Sequence, residues 1–517
     1  MIGLKARKES STPRTRRTDL RRPLRGRPWG WGAAVALTVL CCSLGFAAAG
    51  RTVDDILPAW VIGALQQAAK FLATRAEQDR PQETPPVILA FDVSPNPSGL
   101  LATFQPNGLI LTASNAFFAN LGTNGRTCMT CHQPQNGWTI SSPDIKARFR
   151  ASDGTDPLFR LMDGATCPTD DVSTLAAKTR AYTLLLTKGL IRVAISLPAK
   201  DKLQYEIIEV NDPYGCNTNS NTGLTSSTTG VVSVYRRPLP STNLGFLSAL
   251  MWDGRESSLT DQAIHAIQIH AQASTDPTPT QVAQIVSFEL GLYTAQFVDN
   301  EAGFLEDDGA TGGPVALSRQ PFFIGINDPL DQNPKGLPFN PEAFTLYAAW
   351  ERLPGKAKQR EREAVARGAR LFNTRPIAIA GVTGLNDALA QPVIMGTCTT
   401  CHDTPNVGNH SVPLPLDIGV SDARPSTSDL PLFTLRCLAT GAIVKTTDPG
   451  RALITGKCAD IGRLKGPILR GLAARAPYFH NGSAATLAEV VAFYDTRFQL
   501  NLTRQEQEDL VAFLRAL

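Results

Sequence analysis

Apolar residues recur at helical spacing in several stretches of the chain, most clearly near its carboxyl end. The last such stretch carries an apolar face made of Leu510, Phe513, Leu514 and Leu517. Capping boxes, in which a hydroxyl residue precedes a glutamate by three positions, mark helix starts at Thr486 and Thr503. The same periodicity predicts further helices at 56–76, 113–121, 259–273, 280–288 and 361–372.

The pattern changes between residues 151 and 241. Apolar and polar residues alternate over 190–197 and 205–210, and the polar segment 217–230 follows. Alternation with turn-forming residues between the runs indicates strands, so we predict a small β-containing insertion at about 151–241. A connection rich in Pro and Gly at 303–341 then separates two mainly helical regions.

The amino-terminal segment predicts export. Residues 1–28 hold ten Lys or Arg against two acidic residues, an apolar stretch covers 33–46, and three alanines follow at 47–49. A basic region, a short apolar core and small residues at the cleavage position are typical of a signal peptide, here 1–49. An uncleaved anchor helix is the alternative. With the signal removed, no segment is apolar for long enough to span a membrane.

Composition and charge exclude some classes of protein. The 517 residues are 43% hydrophobic and 19% charged, which is an ordinary balance for a chain with a buried core. The formal charge of +4 comes from the basic signal segment, because residues 50–517 carry 40 basic against 44 acidic side chains. Without a basic surface, we expect no nucleic-acid partner.

Two cysteine pairs carry the strongest chemical signal. Both belong to Cys-x-x-Cys-His motifs, and the motif residues are Cys128, Cys131, His132, Cys398, Cys401 and His402. This spacing attaches c-type haem: the two thiols add to the haem vinyl groups, and the imidazole becomes the proximal iron ligand. A zinc ribbon needs its two pairs much closer together, and a thioredoxin-type pair does not explain the trailing histidines. We therefore predict two covalently bound haems c.

Four further cysteines lie outside the signal segment and the motifs. In an oxidising compartment they predict two disulfides. Of the three possible connectivities, the simplest joins neighbours in sequence, giving Cys167–Cys216 and Cys437–Cys458.

Three segments around the motifs resemble the bacterial di-haem cytochrome c peroxidase family, which includes the MauG enzymes. They are Leu250-Met-Trp-Asp-Gly-Arg-Glu-Ser-Ser-Leu-Thr-Asp-Gln262, Lys465-Gly-Pro-Ile-Leu-Arg-Gly-Leu continuing to Ala476-Pro-Tyr-Phe-His-Asn-Gly-Ser483, and Thr486-Leu-Ala-Glu-Val-Val-Ala-Phe-Tyr494. With the two haem motifs, the resemblance covers most of the chain outside the signal segment and the insertion.

The resemblance implies that the two haems have different roles. Hydrogen peroxide would react at the amino-terminal haem, while the carboxyl-terminal haem would take electrons from a small donor protein, a cytochrome c or a cupredoxin. Trp252 corresponds to the tryptophan that lies between the haems in the family. A calcium ion between the two domains is also implied.

The chain departs from the family pattern near the first haem. The peroxidases carry a glutamate ten residues after the motif glutamine, which is Gln262 here, and Gln272 takes that position. An amide cannot shuttle the proton that O–O cleavage requires. His270 is the nearby candidate for a base or an iron ligand. It stands five residues after His265 on the predicted helix, so the two do not share a face.

A second departure concerns the other haem. No methionine follows Met395, so a downstream thioether ligand is missing, and Tyr494 takes the family position as in the MauG-type enzymes. Tyrosinate ligation lowers the haem potential and favours high-valent iron. Met162 and Met251 are alternatives as ligands of the first haem or as core filler.

Three other residues receive structural interpretations. We expect Arg470 to contact a haem propionate or the domain interface. His480, in a Pro-Tyr-Phe-His-Asn-Gly turn, is expected near a propionate without binding iron, and His410 is expected on the surface.

Together these features predict a mostly α fold of two cytochrome c-like haem domains, at 50–345 and 346–517, with the β-containing insertion in the first. The predicted function is that of a periplasmic, Gram-negative type peroxidase-like oxidoreductase. A non-enzymatic di-haem electron carrier and a MauG-like oxidase of a partner protein are the alternatives.

Overall fold

A computed structural model of the protein describes residues 85–219, 223–224, 230–356 and 358–517. The predicted signal segment 1–49 and the predicted helix 56–76 lie outside the described residues. All described residues belong to one compact unit. The predicted domain division between residues 345 and 346 stays a prediction.

The described part of the chain contains ten α-helices joined by long irregular segments. They are α1 Ser142–Ser152, α2 Leu175–Ala181, α3 Thr183–Lys188, α4 Leu259–His270, α5 Pro279–Leu290, α6 Pro314–Leu317, α7 Gln359–Thr374, α8 Ala452–Thr455, α9 Leu487–Phe498 and α10 Arg504–Arg515. The helices predicted at 259–273, 280–288 and 361–372 correspond to α4, α5 and α7. In the part of the chain with assigned positions, no helix has the length and apolar character needed to cross a bilayer.

Thirteen strands form five small sheets within the described ranges. They are β1 Val87–Ile88, β2 Phe91–Asn96, β3 Gly99–Phe104, β4 Ile110–Leu111, β5 Ile191–Ser196, β6 Tyr205–Asn211, β7 Val231–Arg236, β8 Tyr293–Asp299, β9 Gly303–Phe304, β10 Ile377–Ala380, β11 Val393–Gly396, β12 Leu432–Cys437 and β13 Ile443–Thr446. Helix accounts for 31% and strand for 17% of the structure, so the fold has more sheet than the sequence predicted.

The carboxyl-terminal helices surround one apolar core. Helix α7 crosses α10 closely at Gly368, where an added Cβ would lie 2.0 Å from the backbone oxygen of Asp509. Glycine is therefore required for this approach. Phe372 of α7 and Phe513 of α10 pack in the same core. The predicted capping box of Thr503 is present and fixes the start of α10.

A four-stranded sheet in the order β2-β3-β8-β9 supports the first haem motif. The hydroxyl of Thr103 on β3 accepts a hydrogen bond of 2.9 Å from Nε1 of Trp138. Trp138 has a φ of 59°, a left-handed conformation that bulky residues rarely adopt. Its side chain is fully buried, which fixes the segment that follows the motif.

The predicted insertion contains strands β5, β6 and β7, and one of them pairs with a strand from the carboxyl-terminal half of the chain. Strands β5 and β7 pair with each other, whereas β6 pairs antiparallel with β12 in the sheet β13-β12-β6. Both predicted disulfides are present, with Cα–Cα distances of 5.3 Å for Cys167–Cys216 and 5.7 Å for Cys437–Cys458. The second disulfide connects the end of β12 to the segment after α8.

Two local predictions were wrong in detail. The segment 113–121 forms 3-10 turns at Thr112–Ser114 and Ala116–Phe118 instead of an α-helix, because Asn115 between them is extended and caps the second turn. At Thr486 the N-cap bond to the Glu489 amide exists, but the Glu489 carboxylate accepts from the Ala485 amide, so the box is not reciprocal.

Candidate functional site

The two Cys-x-x-Cys-His motifs adopt the same backbone turn. Cys128–Thr130 and Cys398–Thr400 are 3-10 turns, each started by a threonine whose side chain forms a reciprocal capping box with the third turn residue. The amide of His132 donates to the Cys128 carbonyl over 2.9 Å, and the equivalent bond of His402 is 3.1 Å. Local sequence thus places two thiols and one imidazole together in each copy.

The four motif cysteines form no disulfide. Burial raises the pKa of the Cys398 and Cys401 thiols to about 12, and it raises the pKa of the Cys128 and Cys131 thiols as well. Reactive or metal-binding thiolates need the opposite shift. This environment disfavours a thioredoxin-type or zinc-binding role and is consistent with attachment of an apolar ring.

Each motif lines its own large cavity. The first cavity, which contains Cys128 and His132, encloses about 1680 Å³ including its open mouth, and the second, which contains Cys398 and His402, encloses about 1510 Å³. Apolar side chains dominate both walls. Two cavities of matching size, each with two thiols and one imidazole on the wall, fit two haem groups.

Both motif histidines are oriented through Nδ1. Nδ1 of His132 lies 2.9 Å from the Trp138 carbonyl oxygen, and Nδ1 of His402 lies 2.6 Å from that of Gly408. Burial lowers the pKa of both imidazoles to about 4, so both are neutral. A metal-bound histidine commonly donates its other N–H to a carbonyl, and this arrangement leaves Nε2 for iron.

The first histidine has an additional polar network. The Ser241 hydroxyl lies 2.9 Å from His132 Nδ1 and also bonds the carboxyl of Glu289 on α5. Glu289 is buried, lines the first cavity, and has one carboxyl oxygen with no hydrogen-bond partner among the described residues. Burial raises its pKa to about 7, although the Ser241 bond opposes the shift.

Another polar group on the first cavity centres on His270, the last residue of α4. His270 Nδ1 lies 2.7 Å from Asp163, which also pairs with Arg126 at 2.6 Å. Burial by itself raises the pKa of Asp163, but Arg126 and the contact with His270 outweigh it and hold the pKa below its usual range. All three residues line the cavity, and the His270 side chain is 35% exposed. This group can hold a proton next to a bound ligand.

The structure places Gln262 and Gln272, the two glutamines singled out by the family pattern, in different surroundings. Gln262 lines the first cavity, but Gln272 lies beyond the end of α4, exposed to solvent. Its side-chain oxygen accepts a bond of 3.2 Å from Asn124 Nδ2. The family position predicted Gln272 near the first haem, but α4 ends at His270 and the chain turns away, so Gln272 lies outside the cavity. His265 is exposed and pairs with Glu256.

Three cationic side chains on the first cavity, of which Arg237 and Lys465 are buried and Arg475 is half-buried, are not neutralised within the described ranges. Arg237, Lys465 and Arg475 all line its wall, and none forms an ion pair with a described carboxylate. Burial lowers the pKa of both arginines to about 10 and, together with Arg475, that of Lys465 to about 7. Buried charges normally have partners, so these cations fit the two carboxylates that a haem carries.

Arg470 does not line either cavity. It is buried and donates to the backbone oxygens of Gly312, Asn406 and Leu517, joining segments 158 residues apart. The propionate alternative is therefore not supported, whereas the other expectation, the domain interface, fits these contacts: Gly312 lies in the first predicted domain, and Asn406 and Leu517 lie in the second. The sequence alone did not indicate that Arg475, five residues later, lines the first cavity whereas Arg470 does not.

The second cavity is lined mainly by apolar and aromatic side chains. Tyr494 on α9 faces it together with the motif residues Cys398, Cys401 and His402. Burial raises the pKa of Tyr494 far above its usual value, and the two thiols add to the shift. No methionine is among the described lining residues, and Met395 is 71% exposed. On the first cavity, Met251 lines the wall and Met162 does not.

Trp252 lines both cavities. Its Nε1 donates to the Arg237 carbonyl over 2.8 Å, and its own carbonyl accepts from the Lys465 amide over 2.8 Å. Its ring contacts that of His480 edge to face, with 6.0 Å between the ring centroids. These contacts fix an aromatic ring in the wall between the two motifs.

The remaining histidines are both buried. His480 lines the second cavity, and burial lowers its pKa to about 4. His410 is only 3% exposed, so its expected surface position was wrong. Its ring nitrogen Nδ1 lies 2.9 Å from Asp403, the residue that follows His402.

Sequence reasoning missed Glu289, Asp163 and Ser241. A signal for Glu289 existed: it continues the buried face of α5 formed by Val282 and Ile285, where a charged residue is unexpected. Asp163 and Ser241 carry no comparable local signal, because their roles depend on partners about 100 residues away.

A scan against protein-family models matches residues 117–300 to the family described as di-haem cytochrome c peroxidase. The matched region contains the first haem motif, Trp252 and the residues of the His270 group. The calcium ion and the roles of individual residues stay predictions.

Curated cytochrome-c peroxidases are similar to parts of the chain. Cytochrome-c peroxidase IdrP1 of Denitromonas iodatirespirans is 44% identical over 81 residues, which cover 14% of this chain and 22% of that protein. IdrP2 of the same organism is 34% identical over 138 residues, covering 24% and 36%. Cytochrome c551 peroxidase of Nitrosomonas europaea is 41% identical over 75 residues, covering 14% and 22%. The chain thus matches about a fifth to a third of the length of these relatives.

Two solved structures also align with the chain. A MauG-like protein associated with microbial copper homeostasis aligns at 19% identity and a TM-score of 0.32, over 56% of this chain and 75% of that one. Hydrazine synthase of Kuenenia stuttgartiensis aligns at 14% identity and a TM-score of 0.29, over 73% and 93%.

Proposed function

We propose that the chain belongs to the di-haem cytochrome c peroxidase and MauG family and that it is a two-haem peroxidase of the periplasm. One haem c is attached to Cys128 and Cys131 and the other to Cys398 and Cys401. Electrons enter at the second haem from a small cytochrome c or cupredoxin. Hydrogen peroxide is reduced in the first cavity.

The observation that carries this proposal is the position of Trp252 on both cavities. Each cavity has its own Cys-x-x-Cys-His turn, so two redox groups would stand on either side of one fixed aromatic ring. Two attached haems sharing such a wall suit the transfer of electrons from one group to the other. A single-haem carrier would not need the second cavity.

The two cavities suit different steps. Bound haem supplies the redox-active iron, and the family implies haem as cofactor. On the first cavity, His270 is held by Asp163 and half-exposed, so it can accept a proton from entering peroxide and return it to the leaving oxygen. Gln262 offers an amide for orienting that ligand. The second cavity is lined mainly by apolar and aromatic side chains, and burial lowers the pKa of its histidine His480 to about 4, which suits electron transfer.

The net reaction balances with two electrons from the donor. One peroxide takes up two electrons and two protons and yields two waters. The donor protein is oxidised by the same two electrons, one from each of two donor molecules if the donor is a one-electron carrier.

Haem counting and peroxide turnover test the proposal together. We expect about two haems per chain by alkaline pyridine absorption, and about one in each of Cys131→Ala and Cys401→Ala. Reduced cytochrome c should then be oxidised by peroxide in the wild type. Both haems present without turnover, and two low-spin irons in the spectrum, would support the non-enzymatic electron carrier instead.

Tyr494 favours a second candidate, a MauG-like oxidase that takes electrons from a partner protein. A tyrosine on the cavity of His402, with no methionine among its described lining residues, suits a low-potential second haem. Tyr494→Phe tests this: if Tyr494 binds the iron, the variant should change the second haem's spectrum and raise its potential. An unchanged spectrum would leave the peroxidase as the better proposal.

A further inference from the structure

Three metal-binding side chains meet in a buried cluster outside both haem cavities. Asp328, Asp403 and His410 each offer one ligand atom, and these atoms lie within 4.8 Å of one another. The residues are 1%, 0% and 3% exposed. Within the described part of the chain, this is the only such group of His, Cys, Asp and Glu side chains. We refer to it as the Asp328 cluster.

Hydrogen bonds within the protein satisfy this cluster incompletely. The Asp403 carboxylate accepts from the Ser411 amide over 2.7 Å and lies 2.9 Å from His410 Nδ1. Asp328 Oδ2 accepts from the Gln332 amide over 3.0 Å. Asp328 Oδ1 and His410 Nε2 are buried and have no partner among the described residues. Two unsatisfied ligand-type atoms in one buried cluster are unusual and require an explanation.

The charges of the cluster are also unbalanced. The cluster holds two fully buried carboxylates, and His410 contacts one of them through Nδ1. No described Lys or Arg forms an ion pair with either carboxylate. Lys465 lines the small cavity that His410 also lines, but its own pKa is lowered to about 7 by burial. Burying two carboxylates with at most one imidazolium is costly, and a bound cation removes that cost.

We propose that the Asp328 cluster binds one divalent first-row transition cation, of the type of Zn²⁺ or Mn²⁺. Two carboxylates and one imidazole are a ligand set for such ions, whereas the imidazole disfavours Ca²⁺ and Mg²⁺, and the missing thiolates disfavour soft ions. The site is distinct from both haem irons, and it does not depend on the peroxidase proposal. It joins the loop at 328 to the irregular segment 403–410 that follows the second motif.

The position of the cluster gives the cation a structural consequence. Asp403 directly follows His402, the second motif histidine, and the Ser248 hydroxyl donates to the His410 carbonyl over 2.7 Å. The cation would therefore brace the segment that carries His402 against the loop at 248, next to Trp252. With the described protein groups alone, Asp328 Oδ1 and His410 Nε2 are left without a partner.

Elemental analysis of the full-length protein tests the proposal. After dialysis against metal-free buffer, inductively coupled plasma mass spectrometry should find about one non-iron divalent ion per chain in addition to haem iron. Asp328→Asn and His410→Gln should lose that ion and keep their iron and haem absorption. Asp276→Asn and His265→Gln, which change exposed residues elsewhere, should keep it.

A second measurement removes the dependence on variant folding. Chelator treatment strips the proposed ion but not covalently attached haem. It should lower the Tm of the wild type, and Zn²⁺ or Mn²⁺ alone should restore it. The proposal is overturned if the wild type holds no stoichiometric non-iron metal and its Tm does not change when either ion is added. It is also overturned if Asp328→Asn retains the ion, or if that variant is more stable than the wild type in metal-free and metal-loaded buffer alike.

Discussion

Ser241 Oγ lies 2.9 Å from Nδ1 of His132, and it links that histidine to the buried carboxyl of Glu289. The His132 N–H is shared between the Trp138 carbonyl and the Ser241 hydroxyl, so Ser241 can donate its own proton to Glu289. At the second motif, the described contact of His402 Nδ1 is the Gly408 carbonyl. The two motif histidines therefore differ in the hydrogen bonds at Nδ1 although both belong to the same Cys-x-x-Cys-His motif. A more basic proximal imidazole stabilises oxidised iron and lowers the haem potential.

The first test removes the Ser241 link. In Ser241→Ala, we expect the potential of the first haem to rise by tens of millivolts, where about 59 mV corresponds to a tenfold change for one electron. Spectroelectrochemical titration measures both haems in one experiment, so the second haem serves as the internal control. Equal shifts of the two potentials, or none, would show that Ser241 does not tune His132.

Glu289 gives the fold a pH dependence. Its pKa is raised from 4.5 to about 7, so the folded state binds a proton more tightly than the unfolded state, and stability falls as pH rises from about 4.5 to about 7. The loss is on the order of 3 kcal/mol, and it is fully present above pH 7. In Glu289→Gln we expect a flatter dependence of Tm on pH over this window by calorimetry. Glu256→Gln, outside the first cavity, is the control, and parallel curves for wild type and Glu289→Gln would contradict the prediction.

The His270 group is expected to handle protons. His270→Gln should lower peroxide turnover by roughly a hundredfold while the haem content stays unchanged. Asp163→Asn should give a smaller loss, since it removes the charge that orients His270. His265→Gln is the matched control, because His265 is on the same helix but exposed. Activity retained in His270→Gln would assign proton transfer to another group.

Gln272→Glu addresses the family difference at that position. Since Gln272 is exposed and outside the cavity, a carboxylate there should leave turnover within about twofold of the wild type, a change of less than 0.5 kcal/mol in barrier. Steady-state kinetics with peroxide measures it. A large gain in turnover would mean that residue 272 enters the cavity when haem is bound.

Trp252 can be tested against another buried tryptophan. Trp252→Phe keeps an aromatic ring but removes the Nε1 bond to Arg237, and we expect electron transfer between the haems to slow roughly tenfold, or about 1.4 kcal/mol in barrier. Trp350→Phe is the control: its Nε1 also donates to a carbonyl, that of Asp307, but it lines neither cavity. Stopped-flow absorption after mixing with reduced donor resolves the step. Equal rates in both variants would show that Trp252 does not mediate electron transfer between the haems.

The sequence by itself determined the features that depend on local chemistry. The spacing of Cys128, Cys131 and His132 suffices to predict a haem attachment turn, because the thiols and imidazole act within five residues. Helices α4, α5 and α7 followed from apolar periodicity, and the disulfides from an oxidising compartment and proximity in sequence. These features can be predicted without knowledge of contacts between distant parts of the chain.

Only the tertiary structure decided which polar groups reach the cavities. Gln272 and His270 are two residues apart, yet the end of α4 leaves one in solvent and the other on the wall. Strand β6 pairs with β12 across more than 200 residues, and the Asp328 cluster joins the loop at 328 to a segment 75 to 82 residues later. A sequence pattern reports periodicity along one element, whereas burial, pairing and pKa depend on what the fold packs against that element.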